Sequence, residues 1–283
     1  MLAVNSHIKG WTIKKALGSG GYGIVVVVEK DKVDAALKMT RDPRAMMSFR
    51  VEQQVLQQLS AGNGQSFVPS YLDSSFDGSQ SFPYPFIVMT FEGESLQKIL
   101  ERQRNMYMTR HETFLVGFCI ANALKHLHLL GYVHQDVKPD NILLSRSAGK
   151  SQFLLTDFGV ASNLNHTGVT TGITVNCDYL YNDSRLMSGS RYCYLDDIGS
   201  LSYVMLQMRR ESKAFRGDFN DRMENRRKLE AGEVKLSAKN AEFQQAFDWI
   251  YKQERRDGFD KPKVPEHDQF TAIIRASPHF ETL

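Results

Sequence analysis

A short polar segment at residues 131–141 constrains the fold of this chain more than any other feature. It carries Asp136, Lys138 and Asn141 on one loop, directly after a long apolar stretch. Two short apolar strands are predicted next, and they lead to a second acidic segment, T-D-F-G, at residues 156–159. The backbone must therefore turn back and bring a second carboxylate beside this loop. These are groups that can hold a magnesium nucleotide and orient a hydroxyl.

The spacing H-x-D-x-K-x-x-N followed by D-F-G resembles the catalytic loop and the metal-binding loop of protein kinases, the standard example of enzymatic phosphoryl transfer. The resemblance implies that Asp136 orients the attacking hydroxyl and that Lys138 places a positive charge against the transferring phosphoryl group. It also implies that Asn141 and Asp157 are magnesium ligands, because hard oxygen donors suit that ion. Each residue alone is an ordinary polar loop residue, but the full pattern is specific.

A glycine-rich segment near the amino terminus lies between two predicted strands. The unbroken β-branched run at residues 24–28 argues against a helix and favours strand, glycine loop, strand. Gly18, Gly20 and Gly23 therefore resemble the kinase flap whose backbone N–H groups cover nucleotide phosphates, and Val25 resembles the residue that covers the adenine. A plain glycine-bearing hairpin is the alternative.

A lysine and a glutamate occur where the surrounding pattern is apolar. Lys38 lies in a third predicted strand, and Glu52 lies on the apolar face of a predicted helix that runs through Leu59. A carboxylate on such a face needs a buried partner. The pair resembles the kinase lysine and helix glutamate that position the nucleotide phosphates. Two ordinary alternatives stay open: Lys38 at a solvated strand edge, and Glu52 reaching water at the edge of the apolar stripe.

The strand-rich first third of the chain gives way to helical patterns just after Glu92. This change predicts an α+β chain with a small β-rich lobe at residues 1–92 and a larger, mostly helical lobe at residues 93–283. The form V-M-x-x-x-G-x-S-L at this point resembles the hinge of the casein kinase I group, within a bilobal protein-kinase fold. By that resemblance Met89 guards the back of the nucleotide pocket and the backbone near Glu92 meets the adenine, although a strand methionine is ordinarily core filler.

Other elements follow from periodicity and from turn residues. A strand is predicted near residues 67–71, and a long buried helix is predicted over residues 111–130 with Gly131 as its C-cap. Asp197 resembles the kinase aspartate that fixes the catalytic-loop backbone, although a helix N-cap would explain it equally. The segment from Glu211 to Lys239 carries more basic than acidic residues and is predicted to form a solvated helical face, with a docking surface as the alternative.

Composition disfavours several other classes of protein. The 35 basic and 32 acidic residues nearly balance at +3, which does not indicate a nucleic-acid or membrane-surface protein. The three cysteines show neither a disulfide framework nor metal-ligand spacing, and His126 and His128 are interpreted as structural helix residues. No long apolar run occurs. We therefore expect a cytoplasmic or nuclear protein, most simply a monomer, with no nucleic-acid or membrane partner. The kinase resemblance implies that its partners are protein substrates.

Two departures from the casein kinase I pattern concern anion binding. Gln135 stands where kinases usually have the arginine of H-R-D, and residues 172–178 differ from the expected G-T-x-R-Y-A-S. Like that group, the chain lacks an A-P-E element, and residues 151–184 contain no Lys or Arg. We therefore expect activity that does not require phosphorylation of this segment, and a weak preference for acidic or phosphorylated substrates.

The resemblance as a whole implies a kinase that uses ATP and Mg²⁺ to phosphorylate serine and threonine hydroxyls of proteins. A catalytically weak scaffold that retains nucleotide binding is the alternative from another class. Against it, the chain keeps the residues that degenerate kinases tend to lose, namely Lys38, Glu52, Asp136, Asn141 and Asp157. A small-molecule phosphotransferase of the same fold is disfavoured by Lys138, which resembles the loop of serine/threonine kinases.

Overall fold

The computed structural model contains both strands and helices. It describes residues 3–20, 23–62, 64–76, 82–103, 108–147, 150–164, 180–187, 192–253 and 264–280. The divergent segment at residues 172–178 lies outside these ranges. Among the described residues, none of the helices is both long enough and apolar enough to cross a membrane.

The chain forms two compact units. They consist of Met1–Gly93 with Thr156–Val160, and of Glu94–Leu155 with Ala161–Leu283. The first unit thus extends one residue past the boundary predicted from the sequence, and it also takes in the segment that contains Asp157. The assignment of these ranges as kinase lobes stays a prediction.

The described part of the first unit contains a six-stranded antiparallel sheet with strand order β1-β2-β3-β4-β6-β5. The strands are β1 (His7–Ile8), β2 (Trp11–Gly20), β3 (Gly23–Lys30), β4 (Val33–Met39), β5 (Tyr71–Ser75) and β6 (Phe86–Thr90). One face buries an apolar cluster that includes Trp11, Val26, Leu37 and Val88. Because successive strand side chains alternate between faces, Lys38 lies on the opposite face from this cluster.

The main helix of the first unit, α1 (Met46–Ala61), follows a short 3₁₀ turn at Pro43–Ala45. Asp42 caps that turn by accepting a hydrogen bond from the Arg44 backbone N–H at 2.9 Å. The buried residues of α1 lie on one stripe and are Phe49, Glu52, Val55, Leu56 and Leu59. The predicted helix is confirmed, with its glutamate inside the apolar stripe.

The strand predicted near residues 67–71 is wrong. Gln65–Phe67 form a 3₁₀ turn, and β5 begins only at Tyr71. Pro69 lies between them and has no backbone N–H to donate to a strand ladder, which explains why pairing starts after it.

The second unit is mostly helical. Its helices are α2 (Leu96–Arg102), α3 (Arg110–Leu129), α4 (Ser184–Met187), α5 (Tyr194–Met208), α6 (Ser212–Phe215), α7 (Phe219–Glu230), α8 (Gln244–Lys252) and α9 (His267–Arg275). The predicted long helix is α3, which contacts α5, α9 and a later strand, β9. A capping box of Thr109 and Glu112 begins α3. It ends at Leu129, and its C-cap is Leu130 and not the predicted Gly131. Gly131 follows the cap with a φ of +85°, in the left-handed region that suits glycine.

Short strands frame the polar loop of the second unit. β7 (Tyr132–Val133) pairs with β10 (Ser162–Asn163), and β8 (Ile142–Ser147) pairs with β9 (Lys150–Leu155). β7 ends directly before the loop, and β8 begins directly after a 3₁₀ turn at Pro139–Asn141. Both ends of the loop are therefore fixed by antiparallel pairing.

Gly23 occupies a backbone position that favours glycine strongly. Its φ is +132°, and an added Cβ would lie 2.2 Å from the Met39 carbonyl oxygen. We expect Gly23→Ala to lower the free energy of unfolding by about 2 kcal/mol, because backbone strain and a backbone clash coincide there. Urea denaturation of the purified protein measures this change.

Gly18→Ala is the matched control, because a Cβ at Gly18 meets no described atom within 4 Å. We expect its unfolding midpoint to stay close to that of the wild type. Equal midpoints for the two variants would show that the strain at Gly23 is not real.

Candidate active site

Lys38 is the centre of a buried ion-paired cluster in the first unit. Only 7% of its surface is exposed, and its Nζ is 2.7 Å from Glu52 Oε2 and 2.9 Å from Asp157 Oδ1. Glu52 comes from the apolar face of α1, and Asp157 follows β9 in the left-handed backbone region with φ +64°. These contacts exclude both the solvated-edge interpretation of Lys38 and the solvent-reaching interpretation of Glu52.

Burial and charge act in opposite directions in this cluster. Burial disfavours the charged amine, but the Asp157 and Glu52 carboxylates outweigh it and raise the pKa of Lys38. Burial also raises the pKa of Glu52 to about 7, while the Lys38 ammonium acts in the opposite direction. As the pH falls through about 7, the Glu52 carboxylate gains a proton, whereas Lys38 is already protonated. Lys38 therefore keeps its positive charge.

The glycine segment joins two paired strands. Gly18 pairs with Val25, and Gly20 pairs with Gly23, so these glycines occupy the connecting end of the β2–β3 ladder. Val25 also pairs with Lys38 across β3 and β4. Directly paired residues share a face of the sheet, so Val25 lies on the same face as the Lys38 cluster.

The strand end predicted as the hinge is β6. Met89 is 7% exposed and pairs with Ala36 of β4, which lies two residues from Lys38 and therefore on its face of the sheet. Glu92 follows β6, and its Oε1 accepts a hydrogen bond from Thr90 Oγ1 at 2.7 Å. The glutamate side chain is thus tied to the strand end, and the backbone beside it continues to α2.

In the second unit, the polar loop forms its own hydrogen-bonded group around Asp136. The Asn141 carboxamide nitrogen donates to the Asp136 backbone oxygen and to Asp136 Oδ2, both at 2.9 Å. Lys138 Nζ is 3.0 Å from the same Oδ2. Asp136 and Asn141 are 4% and 5% exposed. The structure therefore brings together the three residues that the sequence placed on this loop.

Asp197, near the start of α5, holds the backbone of that loop. Its Oδ2 accepts from the His134 N–H at 2.7 Å and its Oδ1 from the Gln135 N–H at 3.0 Å. Oδ1 also accepts from the Tyr192 hydroxyl at 2.7 Å, and Oδ2 lies 2.9 Å from His128 Nε2. Burial opposes its charge, but the hydrogen bonds from the His128 side chain and the His134 backbone N–H lower the pKa of Asp197. Asp197 is therefore an ionised loop anchor and not only a helix cap.

Gln135, directly before Asp136, is buried and has a left-handed backbone conformation. It is 2% exposed, it has φ +67°, and its Oε1 accepts a hydrogen bond from Ser162 Oγ at 3.2 Å. The side chain thus connects the loop to β10. This neutral contact supports the expectation of phosphorylation-independent activity, which stays a prediction.

The sequence model of the protein kinase domain family matches residues 11–261 of this chain. The chain belongs to the protein kinase family. Kinases of this family in general use ATP and magnesium and act on proteins.

Relatives and solved structures agree with this membership. A probable casein kinase I homolog of Encephalitozoon cuniculi is 27% identical over 72% of this chain and 63% of that protein. The serine/threonine-protein kinase PknJ of Mycobacterium bovis is 30% identical over 73% of this chain and 35% of that protein. The chain thus spans less than two thirds of these relatives. Vaccinia related kinase 3 has the same fold, with TM-score 0.78, 18% identity and coverage of 99% of this chain and 94% of that one.

These findings confirm the predicted protein-kinase fold and the resemblance to casein kinase I proteins. They do not test the individual site residues, so the roles of the glycines, Val25, Met89 and Glu92 stay predictions. The divergent segment at residues 172–178 lies outside the described residues.

A buried arginine of this kinase corrects one expectation from the sequence. Arg226 of α7 lies in the segment predicted as a solvated helical face, but it is fully buried with 0% exposure. Its guanidinium donates to the backbone oxygens of Ala214 at 3.0 Å, Leu180 at 2.5 Å and Asn182. Its charge also lies over the Tyr203 ring, at 4.4 Å from the centroid. In a chain without A-P-E, Arg226 fixes the segment that follows the divergent region.

Glu230, one turn after Arg226, completes this contact. Its carboxylate accepts hydrogen bonds from the Ser184 N–H at 3.1 Å, from the Ser184 hydroxyl and from the Tyr203 hydroxyl. A sequence signal existed but was weak: Arg226 is three residues before the buried Leu229, hence on the same helix face.

The Lys38 cluster predicts non-additive losses of activity. We expect Lys38→Met and Glu52→Gln each to lower kcat/KM by about tenfold or more, and the double variant to be little worse than the worse single variant. Steady-state kinetics of the wild type, the two single variants and the double variant completes the double-mutant cycle. Fully additive losses would mean that the two side chains do not act together.

An exposed ion pair in the same unit is the control for that cycle. Lys14 Nζ lies 2.9 Å from Glu29 Oε2, with the two side chains 43% and 35% exposed. We expect Lys14→Met to leave kcat/KM unchanged.

Arg226→Met should destabilise the protein by about 3 kcal/mol, because it leaves several buried carbonyl oxygens without their charged donor. The methionine keeps the apolar stem. The neighbouring Arg227, whose side chain is 48% exposed, bonds only surface glutamates and is the control. We expect Arg227→Met to change the urea midpoint little. Similar midpoints for the two variants would contradict the structural role of Arg226.

Proposed function

We propose that this chain is a protein serine/threonine kinase that transfers the γ-phosphoryl group of ATP to hydroxyl groups of protein substrates. The observation that carries the proposal is the Lys38 cluster, one buried ammonium held by two carboxylates at 2.7 and 2.9 Å. Well-packed apolar residues would satisfy a purely structural role as well or better. A fixed ammonium that keeps its charge, in contrast, suits the binding of phosphate oxygens.

Asp136 is the proposed orienting group for the attacking hydroxyl. Orientation needs a carboxylate whose position is fixed before the substrate arrives. The bonds from Asn141 and Lys138 supply that fixation at 2.9 and 3.0 Å. The Lys138 side chain is 19% exposed, and we propose that it also places charge against the transferring phosphoryl group. A lysine at this position favours serine and threonine as acceptors.

Asn141 and Asp157 are the proposed magnesium ligands. Because the Asn141 nitrogen donates to Asp136, its carbonyl oxygen is the atom suited to a metal. Magnesium usually takes one or two protein oxygens together with phosphates and water, so two protein ligands are enough. When bound, the ion would neutralise phosphate charge.

The remaining site residues are proposed to contact the nucleotide. The support is their position on the connecting end of the β2–β3 ladder, on the Lys38 face of the sheet, or at the end of β6. They are Gly18, Gly20, Gly23, Val25, Met89 and Glu92.

A catalytically weak scaffold that retains nucleotide binding is the second candidate, and Gln135 in place of the usual arginine is the observation that favours it. Incubation with radiolabelled ATP and a mixed pool of proteins separates the two candidates. Label on serine and threonine supports the kinase. Nucleotide binding without any transfer supports the scaffold.

Asp136→Asn should lower the rate of phosphoryl transfer by about a hundredfold or more while nearly preserving the affinity for Mg-ATP. Asp157→Asn should instead weaken Mg-ATP binding itself, because Asp157 is a proposed metal ligand. Turnover is measured with radiolabelled ATP and affinity by calorimetry.

The Asp136→Asn protein, purified identically, also controls for a contaminating kinase. Undiminished turnover in that variant would rule out the proposed role of Asp136. Unchanged Mg-ATP affinity in Asp157→Asn would rule out Asp157 as a ligand.

A further inference from the structure

The anchor of the catalytic loop extends one residue further than Asp197 and His128. His128 Nε2 lies 2.9 Å from Asp197 Oδ2, and on its other side His128 Nδ1 lies 2.9 Å from His267 Nε2. His267 is the first residue of α9 and is 139 positions away from His128 in the sequence. His128 and Asp197 are 0% exposed and His267 is 2% exposed. The three side chains thus form one buried chain of hydrogen bonds.

The positions of the protons in this chain follow from its acceptors. The Asp197 carboxylate accepts hydrogen bonds on both oxygens, so the nitrogen that faces it, His128 Nε2, must carry a proton. One proton must then occupy the contact between His128 Nδ1 and His267 Nε2. Either His128 Nδ1 or His267 Nε2 carries this proton. The two cases differ in whether the other nitrogen of His267, Nδ1, is protonated.

The far nitrogen of His267 decides between the two cases. His267 Nδ1 is buried and has no hydrogen-bond partner in the part of the chain that the structure describes. If His128 donated to His267, the proton of a neutral His267 would lie on Nδ1, as a buried N–H without an acceptor. Orphaned buried N–H donors are rarer than under-used acceptors. Burial, the largest cause, also lowers the pKa of His267 to about 2, so this ring is neutral.

We propose that His267 is a positioning residue of the kinase reaction: its Nε2–H donates to His128 Nδ1 and thereby holds His128 in the tautomer that donates to Asp197. This inference rests on the proposed kinase function. In the opposite tautomer, a bare His128 nitrogen would face the Asp197 carboxylate and repel it. The His134 and Gln135 N–H groups would then lose a fixed acceptor. Asp136 follows directly in sequence, so the effect reaches the group that orients the hydroxyl.

Three variants test the proposal. His267→Phe keeps a ring but removes the donor, and His267→Gln keeps an N–H donor near the Nε2 position. Asp268→Asn is the control, because Asp268 also ties α9 to α3, through Lys125 Nζ at 2.6 Å, without touching the histidines. We expect His267→Phe to lower kcat about tenfold with little change in the KM for ATP. His267→Gln should restore most of kcat, and Asp268→Asn should match the wild type.

Activities are compared per folded protein, with the unfolding midpoint of each variant measured in parallel. Equal losses in His267→Phe and His267→Gln, or a wild-type kcat in His267→Phe, would overturn the proposal.

A spectroscopic measurement tests the tautomers without any catalysis. Long-range ¹H–¹⁵N correlation spectra of the ¹⁵N-histidine-labelled full chain, assigned with single-histidine variants, report which ring nitrogens carry protons. We expect one protonated nitrogen, Nε2, in both His128 and His267. A doubly protonated His128 ring, or an Nδ1–H tautomer of His267, would overturn the proposal. If the wild type transferred no phosphate, the proposed function would fail, while the spectra would still decide the tautomers.

Discussion

The buried carboxylate of Asp197 is the interaction on which the candidate catalytic loop depends. An ionised carboxylate removed from water is costly unless donors surround it, and here backbone and side-chain groups supply those donors. Two of them, the His134 and Gln135 N–H groups, belong to the loop itself. The free energy that keeps Asp197 charged therefore also fixes the loop backbone. Asp136 takes its position from a helix residue that never needs to touch the substrate.

A buried charged side chain also holds two other irregular segments. Lys38 of β4 holds Asp157, which lies outside any strand or helix, and Arg226 of α7 holds the carbonyl groups of residues 180 and 182. In each case a charged side chain on a regular element satisfies groups that a loop cannot satisfy by itself. A buried charge is also more directional than an apolar contact. It therefore selects one loop conformation among several of similar compactness.

The sequence predicted the structure well where a charged residue interrupted a clear hydrophobic period. Glu52 stood out on an apolar helical stripe, and this pattern required a buried cation that Lys38 could supply. It failed where local sequence was ambiguous. Because Pro69 cannot donate to a strand ladder, β5 begins later than predicted, at Tyr71. The sequence around Arg226 does not distinguish it from the exposed arginines of the same helix. The contact between His128 and His267 could not be predicted, because no local pattern links positions 139 residues apart. Only tertiary packing of α3 against α9 brings the two rings together.

Gln135 shows how two departures from the related kinases fit one another. An arginine with 2% exposure would need a nearby anion, since an unpaired buried charge is costly. A glutamine needs only hydrogen bonds, and Ser162 Oγ supplies one at 3.2 Å. We therefore expect this part of the loop to be ordered without a phosphate. Residues 151–184 likewise contain no Lys or Arg that would attract one. The loop backbone is held by Asp197, a residue of α5 that accepts hydrogen bonds from the His134 and Gln135 N–H groups.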